Sequence, residues 1–125
     1  MQPIIRLGEE VLRRMPFELV EEERDGVVVV RVRGKRLDAS QAPAFKESVT
    51  KSIEGKPRKS VLDLTLVEFI DSIGLGVLVA CFKRAGGQGK LVIVGAQGAV
   101  AGLFKLTRMD RVFPLYNSLD EALKD

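Results

Sequence analysis

Residues 60–94 read SVLDLTLVEFIDSIGLGVLVACFKRAGGQGKLVIV, and this run constrains the fold more than any other part of the chain. Val61, Leu62, Leu64, Leu66 and Phe69 suit a buried strand leading into the segment Asp71-Ser72. An apolar stretch of helical length follows, from Ser72 to about Ala85, and the Gly86-Gly87-Gln88-Gly89 sequence stops it. KLVIVG then reads as a second short apolar strand. Two strands joined through a helix pair in parallel, because the crossover returns the chain to the same end of the sheet.

The flanking segments extend this pattern. FELVEEE and VVVVRV, separated by Arg24-Asp25-Gly26, predict a hairpin over residues 17–32 with Asp-Gly as its turn. Ala42, Phe45, Val49 and Ile53 fall on one face of an amphipathic helix, with Asp38 or Ser40 available as N-cap and Gly55 beyond its end. GAVAGLFKLT places Val100, Leu103, Phe104 and Leu106 on another helix. Residues 111–116 suit an edge strand interrupted by Pro114, and Ser118 to Glu121 has the spacing of a capping box. Ile4, Ile5, Leu7, Val11, Leu12 and Met15 suggest a short N-terminal helix ahead of Pro16, weakened by Gly8. The expectation is one α/β domain with a mixed sheet of about four to six strands, helices mainly on one face and an N-terminal hairpin.

Composition removes several classes of chemistry. The 125 residues contain no histidine, so Ser-His-Asp and Cys-His nucleophile pairs and imidazole zinc sites are absent. The one cysteine, Cys81, lies within an apolar run and is expected to pack rather than react. No apolar run approaches the roughly 18 residues of a membrane span, and no secretory leader pattern is present, so the chain is read as soluble and cytoplasmic. Twenty basic and 17 acidic side chains leave a formal net charge of +3. The clusters Arg31, Arg33, Lys35, Arg36 and Lys56, Arg58, Lys59 are read as solvated surface, because stacking aromatics and a nucleic-acid fold signature are missing.

Function then rests on Asp71-Ser72-Ile73-Gly74-Leu75-Gly76. Val79 stands where a dinucleotide fingerprint needs its third glycine. Around Gly89-Lys90, Arg84 and Leu91 stand where a phosphate loop needs glycine and a hydroxyl residue. Ser72 has no histidine to activate it as a nucleophile, and the spacing selects no lysine base. Asp71 or Ser72 could simply cap the helix, stabilising it by about 1 kcal/mol. Capping leaves Gly74 and Gly76 unexplained, since each costs a helix interior roughly 1 kcal/mol relative to alanine. Their missing side chains allow close packing against the sheet or close approach by another protein.

The hexapeptide, preceded by VLDLTLVEFI and followed by VLVACFKRAGGQGKLVIVG, resembles the signature region of STAS domains, specifically bacterial anti-sigma factor antagonists. The similarity runs from about Phe17 to the C-terminus and includes residues 34–38 and LFKLTRMDRVF. It implies a STAS domain over residues 17–125, preceded by an extension of residues 1–16. It also implies a regulator rather than an enzyme, without cofactor or metal, monomeric, and bound neither to nucleic acid nor within a membrane. In that family the serine after the motif aspartate is phosphorylated, which here is Ser72. The implied partners are an anti-sigma factor with serine kinase activity, bound by the unphosphorylated form, and a metal-dependent serine phosphatase that resets the cycle. Asp38, Asp71, Ser72, Gly74 and Gly76 are the implied partner contacts. Two departures stand out: Ile73 replaces a common second hydroxyl residue, and Gly34-Lys35-Arg36-Leu37-Asp38 is one residue longer than the usual turn. A STAS subunit of a membrane transporter is the alternative within the fold, and a small hydrolase or nucleotide-binding enzyme the alternative outside it.

Overall fold

Seven strands and four α-helices are described by the computed structural model, which covers residues 17–53, 59–86 and 90–124. The expected N-terminal helix, Gly55 and residues 87–89 lie outside them. Strands β1 (Glu18–Arg24) and β2 (Val27–Arg33) form the antiparallel hairpin, with Glu18 opposite Arg33 and Arg24 opposite Val27. Asp25 (φ 52°) and Gly26 (φ 79°) both adopt the left-handed conformation that a tight two-residue turn matching strand twist requires. The β1 edge carries Glu18, Glu21, Glu22 and Glu23, and this charge disfavours pairing with another chain.

The short strand β3 (Arg36–Leu37) is followed by α1 (Ala42–Ile53), β4 (Lys59–Asp63), β5 (Phe69–Ile70) and α2 (Ser72–Ala85). Strand β6 (Leu91–Val94), α3 (Gly98–Leu106), a 3-10 turn at Met109–Arg111, β7 (Leu115–Tyr116) and α4 (Leu119–Lys124) complete the order. The main sheet runs β1-β2-β4-β6-β7, parallel from β2 onward. The mixed α/β architecture expected from the βαβ pattern is therefore present.

One face of the sheet presents Val28, Val30, Val32, Leu62, Leu91 and Ile93. Against it pack Phe45, Val49 and Ile53 of α1, Leu75, Leu78 and Cys81 of α2, and Val100 and Phe104 of α3. The period-3.6 pattern of α1 was thus a faithful guide to its buried face. Val27, Val29, Val61, Val92 and Val94 point the other way and form a smaller cluster with Ala122 of α4. Lys59 is buried there and donates from Nζ to the Ala122 carbonyl at 3.0 Å. That placement corrects its reading as solvated surface: its ammonium caps a carbonyl of the terminal helix instead of meeting water. Burial pushes the Cys81 thiol pKa up, against smaller opposite pulls from Thr50 and Lys46.

Three further expectations are corrected. The segment from Val61 to Phe69 is not one buried strand: Asp63 Oδ1 accepts from Thr65 N at 2.9 Å and from its hydroxyl, closing a side-chain turn that ends β4. Leu66 and Phe69 are consequently exposed, at 54% and 38%. Leu106, at the last position of α3, is also outside the core at 82% exposure. The edge strand near Pro114 is only the pair Leu115–Tyr116, because the 3-10 turn occupies its expected beginning. No described helix is long and apolar enough to cross a membrane.

Candidate functional site

After the Asp63 turn, the chain re-enters regular structure beside the segment that precedes α1. Strands β3 and β5 pair in parallel, Arg36 with Phe69 and Leu37 with Ile70, as a two-stranded ribbon separate from the main sheet. The Lys35 carbonyl accepts from Glu68 N at 2.7 Å and Phe69 N at 3.1 Å. This ribbon carries the longer turn noted in the sequence. Its register brings Asp38 and Asp71 to the same end, each one residue past its strand, so two distant motifs become one surface.

Asp71 closes that surface. It is extended (φ −97°, ψ −178°) and caps α2, its Oδ1 accepting from Gly74 N at 2.8 Å. Its Oδ2 accepts from Ala39 N at 3.1 Å, while its own N–H donates to the Leu37 carbonyl at 3.3 Å. One carboxylate therefore ties the start of α2 to the turn leading into α1. Capping and positioning, separate readings of the sequence, are here one arrangement. Replacing Asp71 with Ala leaves two amide donors without protein acceptors and is expected to cost about 1–2 kcal/mol. Asn retains a single acceptor oxygen and is expected to lose about half as much. Urea unfolding of the two variants checks the order.

Asp38 organises the neighbouring turn. Its Oδ1 accepts from the Ser40 hydroxyl at 2.8 Å and Ser40 N at 3.0 Å, and Arg36 Nε approaches Oδ2 at 3.3 Å. Gln41 Oε1 accepts from Asp38 N at 2.9 Å, so side chains satisfy donors on both sides of the turn. The Ser40 hydroxyl, foremost, holds the Asp38 carboxyl below its usual range, with the Ser40 amide and Arg36 adding to it against a contrary pull from burial. The carboxylate is thus maintained as an anion at the rim of the site.

Ser72 is the first residue of α2 and is exposed, and its hydroxyl has no hydrogen-bond partner among the described residues. Ile73, 54% exposed, follows it. The two glycines differ. Gly74 is buried, and a Cβ there would overlap the Leu37 carbonyl oxygen, so its missing side chain serves packing of α2 against β3. Gly76 is exposed, and a Cβ there would meet nothing within 4 Å. Helix packing leaves Gly76 unexplained. Asp38, Asp71, Ser72 and Gly76 contribute to the accessible end, whereas Gly74 lies beneath it.

Phe69 was missed as a surface residue. The Arg36 guanidinium sits 4.3 Å from its ring centroid, holding an exposed aromatic beside the ribbon. The signal available in sequence was the Asp63-x-Thr65 turn pattern, which ends the strand before Phe69 can be buried.

The sequence and overall fold are similar to those of known proteins. The STAS domain family model matches residues 18–122. The chain is 30% identical over 101 residues to the anti-sigma-F factor antagonist RsfB of Mycobacterium tuberculosis, covering 81% of this chain and 82% of that protein. It is 34% identical over 104 residues to the anti-sigma-B factor antagonist of Listeria monocytogenes, covering 81% and 88%. The crystal structure of an anti-sigma factor antagonist from Mycobacterium paratuberculosis superposes with a TM-score of 0.78 at 35% identity, covering 86% of this chain and 92% of the other. With the family pattern spanning the described strands and helices, and with these relatives matching over most of their own length, the chain belongs to the STAS-domain family of anti-sigma factor antagonists.

Proposed function

We propose that the protein is an anti-sigma factor antagonist in a partner-switching pathway, controlled by phosphorylation of Ser72. Its unphosphorylated form binds an anti-sigma factor serine kinase and so frees the sigma factor. Phosphorylation releases the antagonist, and a metal-dependent serine phosphatase restores it. The domain is a substrate of this chemistry and a regulator, acting in the cytoplasm. Residues 17–125 constitute the regulatory unit and residues 1–16 an extension to it.

The observation that carries this reading is the state of the hydroxyl at the head of α2. Ser72 is exposed and without a described hydrogen-bond partner, while both oxygens of its neighbour Asp71 are engaged by backbone amides. Asp71 positions the serine by capping α2, and no hydrogen bond among the described residues joins its carboxylate to the Ser72 hydroxyl as a base would require. The kinase therefore supplies the base: the Ser72 Oγ–P bond forms, the bond from the γ-phosphorus to the bridging oxygen of ATP breaks, ADP leaves and the hydroxyl proton passes to the kinase. Phe69 and Ile73, exposed on either side of Ser72 in the chain, offer apolar contact area, and Asp38 adds a negative rim.

Incubation with candidate partner kinases, followed by mass-spectrometric mapping, tests the assignment. Phosphate on Ser72 that disappears in Ser72→Ala supports it; modification confined to other residues overturns it. Gly76 supplies an independent check. Gly76→Ala is expected to leave folding unchanged or improve it by about 0.5–1 kcal/mol, since the added methyl meets open space and alanine favours a helix. The same variant is expected to weaken kinase binding by about tenfold, because a close interface accommodates an extra methyl poorly. Calorimetry of binding beside thermal unfolding separates the two effects.

A further inference from the structure

A groove of about 650 Å³ lies between α1 and α2, lined on one side by Lys46, Glu47, Thr50 and Lys51 and on the other by Lys83 and Arg84. Its walls carry four cations and one carboxylate. This excess of three positive charges equals the formal net charge of the whole chain, +3, so the remainder of the chain balances to neutrality. Lys46, Lys51 and Lys83 are exposed and form no ion pair among the described residues. The ion pairs given by the hairpin and the Asp38 turn lie elsewhere.

The arrangement discriminates among anions. A compact phosphate is best held by converging backbone amides or a planar guanidinium fork. Here the walls are the interior of α1 and the last turns of α2, where the helix end offers carbonyls and a negative dipole. Lysines on flexible stems act instead as separate point charges, suited to several carboxylates spread along a chain. Lys46 to Lys51 spans about 7–8 Å of helix, comparable to two or three residues of an extended segment.

We propose that the α1–α2 groove docks an acidic, Asp/Glu-rich segment of a partner protein, as a second contact surface distinct from the Ser72 end. Ala80 to Arg84 lie about 12–18 Å along α2 from Ser72, beyond the first turn where a charge on the serine acts strongly. The acidic segment consequently binds the groove whether or not Ser72 carries phosphate.

The test uses a labelled oligoglutamate peptide of about ten residues with the full chain, in fluorescence anisotropy and amide-shift mapping at about 50 and 150 mM salt. Binding that weakens with salt and shifts amides along α1 and the second half of α2 is expected. Lys46→Ser, Lys51→Ser and Lys83→Ser combined should reduce affinity by about tenfold or more. Lys35→Ser, Lys105→Ser and Arg111→Ser combined remove the same charge elsewhere and should change it by less than about twofold. Ser72→Asp should likewise leave it within about twofold, and this result is independent of whether any kinase recognises Ser72. Equal losses in the two triple variants, shifts centred outside the groove, or tighter binding of pyrophosphate, duplex DNA or phosphatidylglycerol vesicles at equal charge would overturn the proposal. So would a tenfold loss on Ser72→Asp.

Discussion

Ser72→Asp is expected to weaken kinase binding by roughly two to three and a half orders of magnitude, whereas Ser72→Ala should bind about as well as the unchanged protein and accept no phosphate there. The reason is local electrostatics within an interface. Phosphate adds about −1.5 to −2 charges at the positive end of α2, where backbone amides favour it, but beside the Asp71 carboxylate. These contributions oppose each other, so the fold itself should change little. Once a partner covers the site, an anion without a cationic counterpart loses its water and costs about 3–5 kcal/mol. Asp71 cannot relieve that charge by turning away, because its oxygens are committed to Gly74 and Ala39. Titration calorimetry of unmodified, phosphorylated, Ser72→Ala and Ser72→Asp proteins measures the difference directly. Tight binding by the fully phosphorylated protein would defeat the mechanism.

The largest expected change in stability is at Gly74. An added methyl would overlap the Leu37 carbonyl oxygen, a backbone atom that cannot rotate aside as a side chain would. Moving α2 outward to make room also strains the bonds from Asp71 to Gly74, Ala39 and Leu37. Overpacking of this kind costs about 1–3 kcal/mol, occasionally more, and alanine's better helix propensity offsets about 1 kcal/mol of it. A net loss of up to about 2 kcal/mol should lower the urea midpoint by up to about 1 M. Amide exchange at Ala39 and Gly74 should accelerate more than exchange in β2 and β4, because the damage begins at the ribbon junction. A stability equal to that of Gly76→Ala would show that α2 is not seated against β3 as described.

The contrast between the two glycines shows where sequence reasoning reached and where it stopped. Both stand out in the sequence, since neither belongs in a helix without cause, and packing or partner approach accounts equally for either. Only the positions of surrounding atoms separated them: Leu37 lies against Gly74, and open space lies against Gly76. Leu66 and Phe69 failed for a related reason. Alternation of apolar residues suggested a long strand, but an aspartate turn of local hydrogen bonds ended it and left both side chains exposed. Phe69 then gained a role from Arg36, a neighbour supplied by strand pairing and not by proximity in the chain.

Sequence by itself determined the elements whose causes are local: the Asp-Gly hairpin, the buried face of α1, the start of α2 at Ser72 and the alternation that makes the sheet largely parallel. Backbone preference, hydrophobic period and capping chemistry act over a few residues and are therefore written in short stretches. Tertiary structure decided what those stretches meet. Pairing of β3 with β5 placed Asp38 beside Asp71, and the packing of α1 on α2 gathered dispersed lysines into one groove. Such contacts depend on the simultaneous fit of distant backbone segments, and that physical constraint has no local spacing by which to be read.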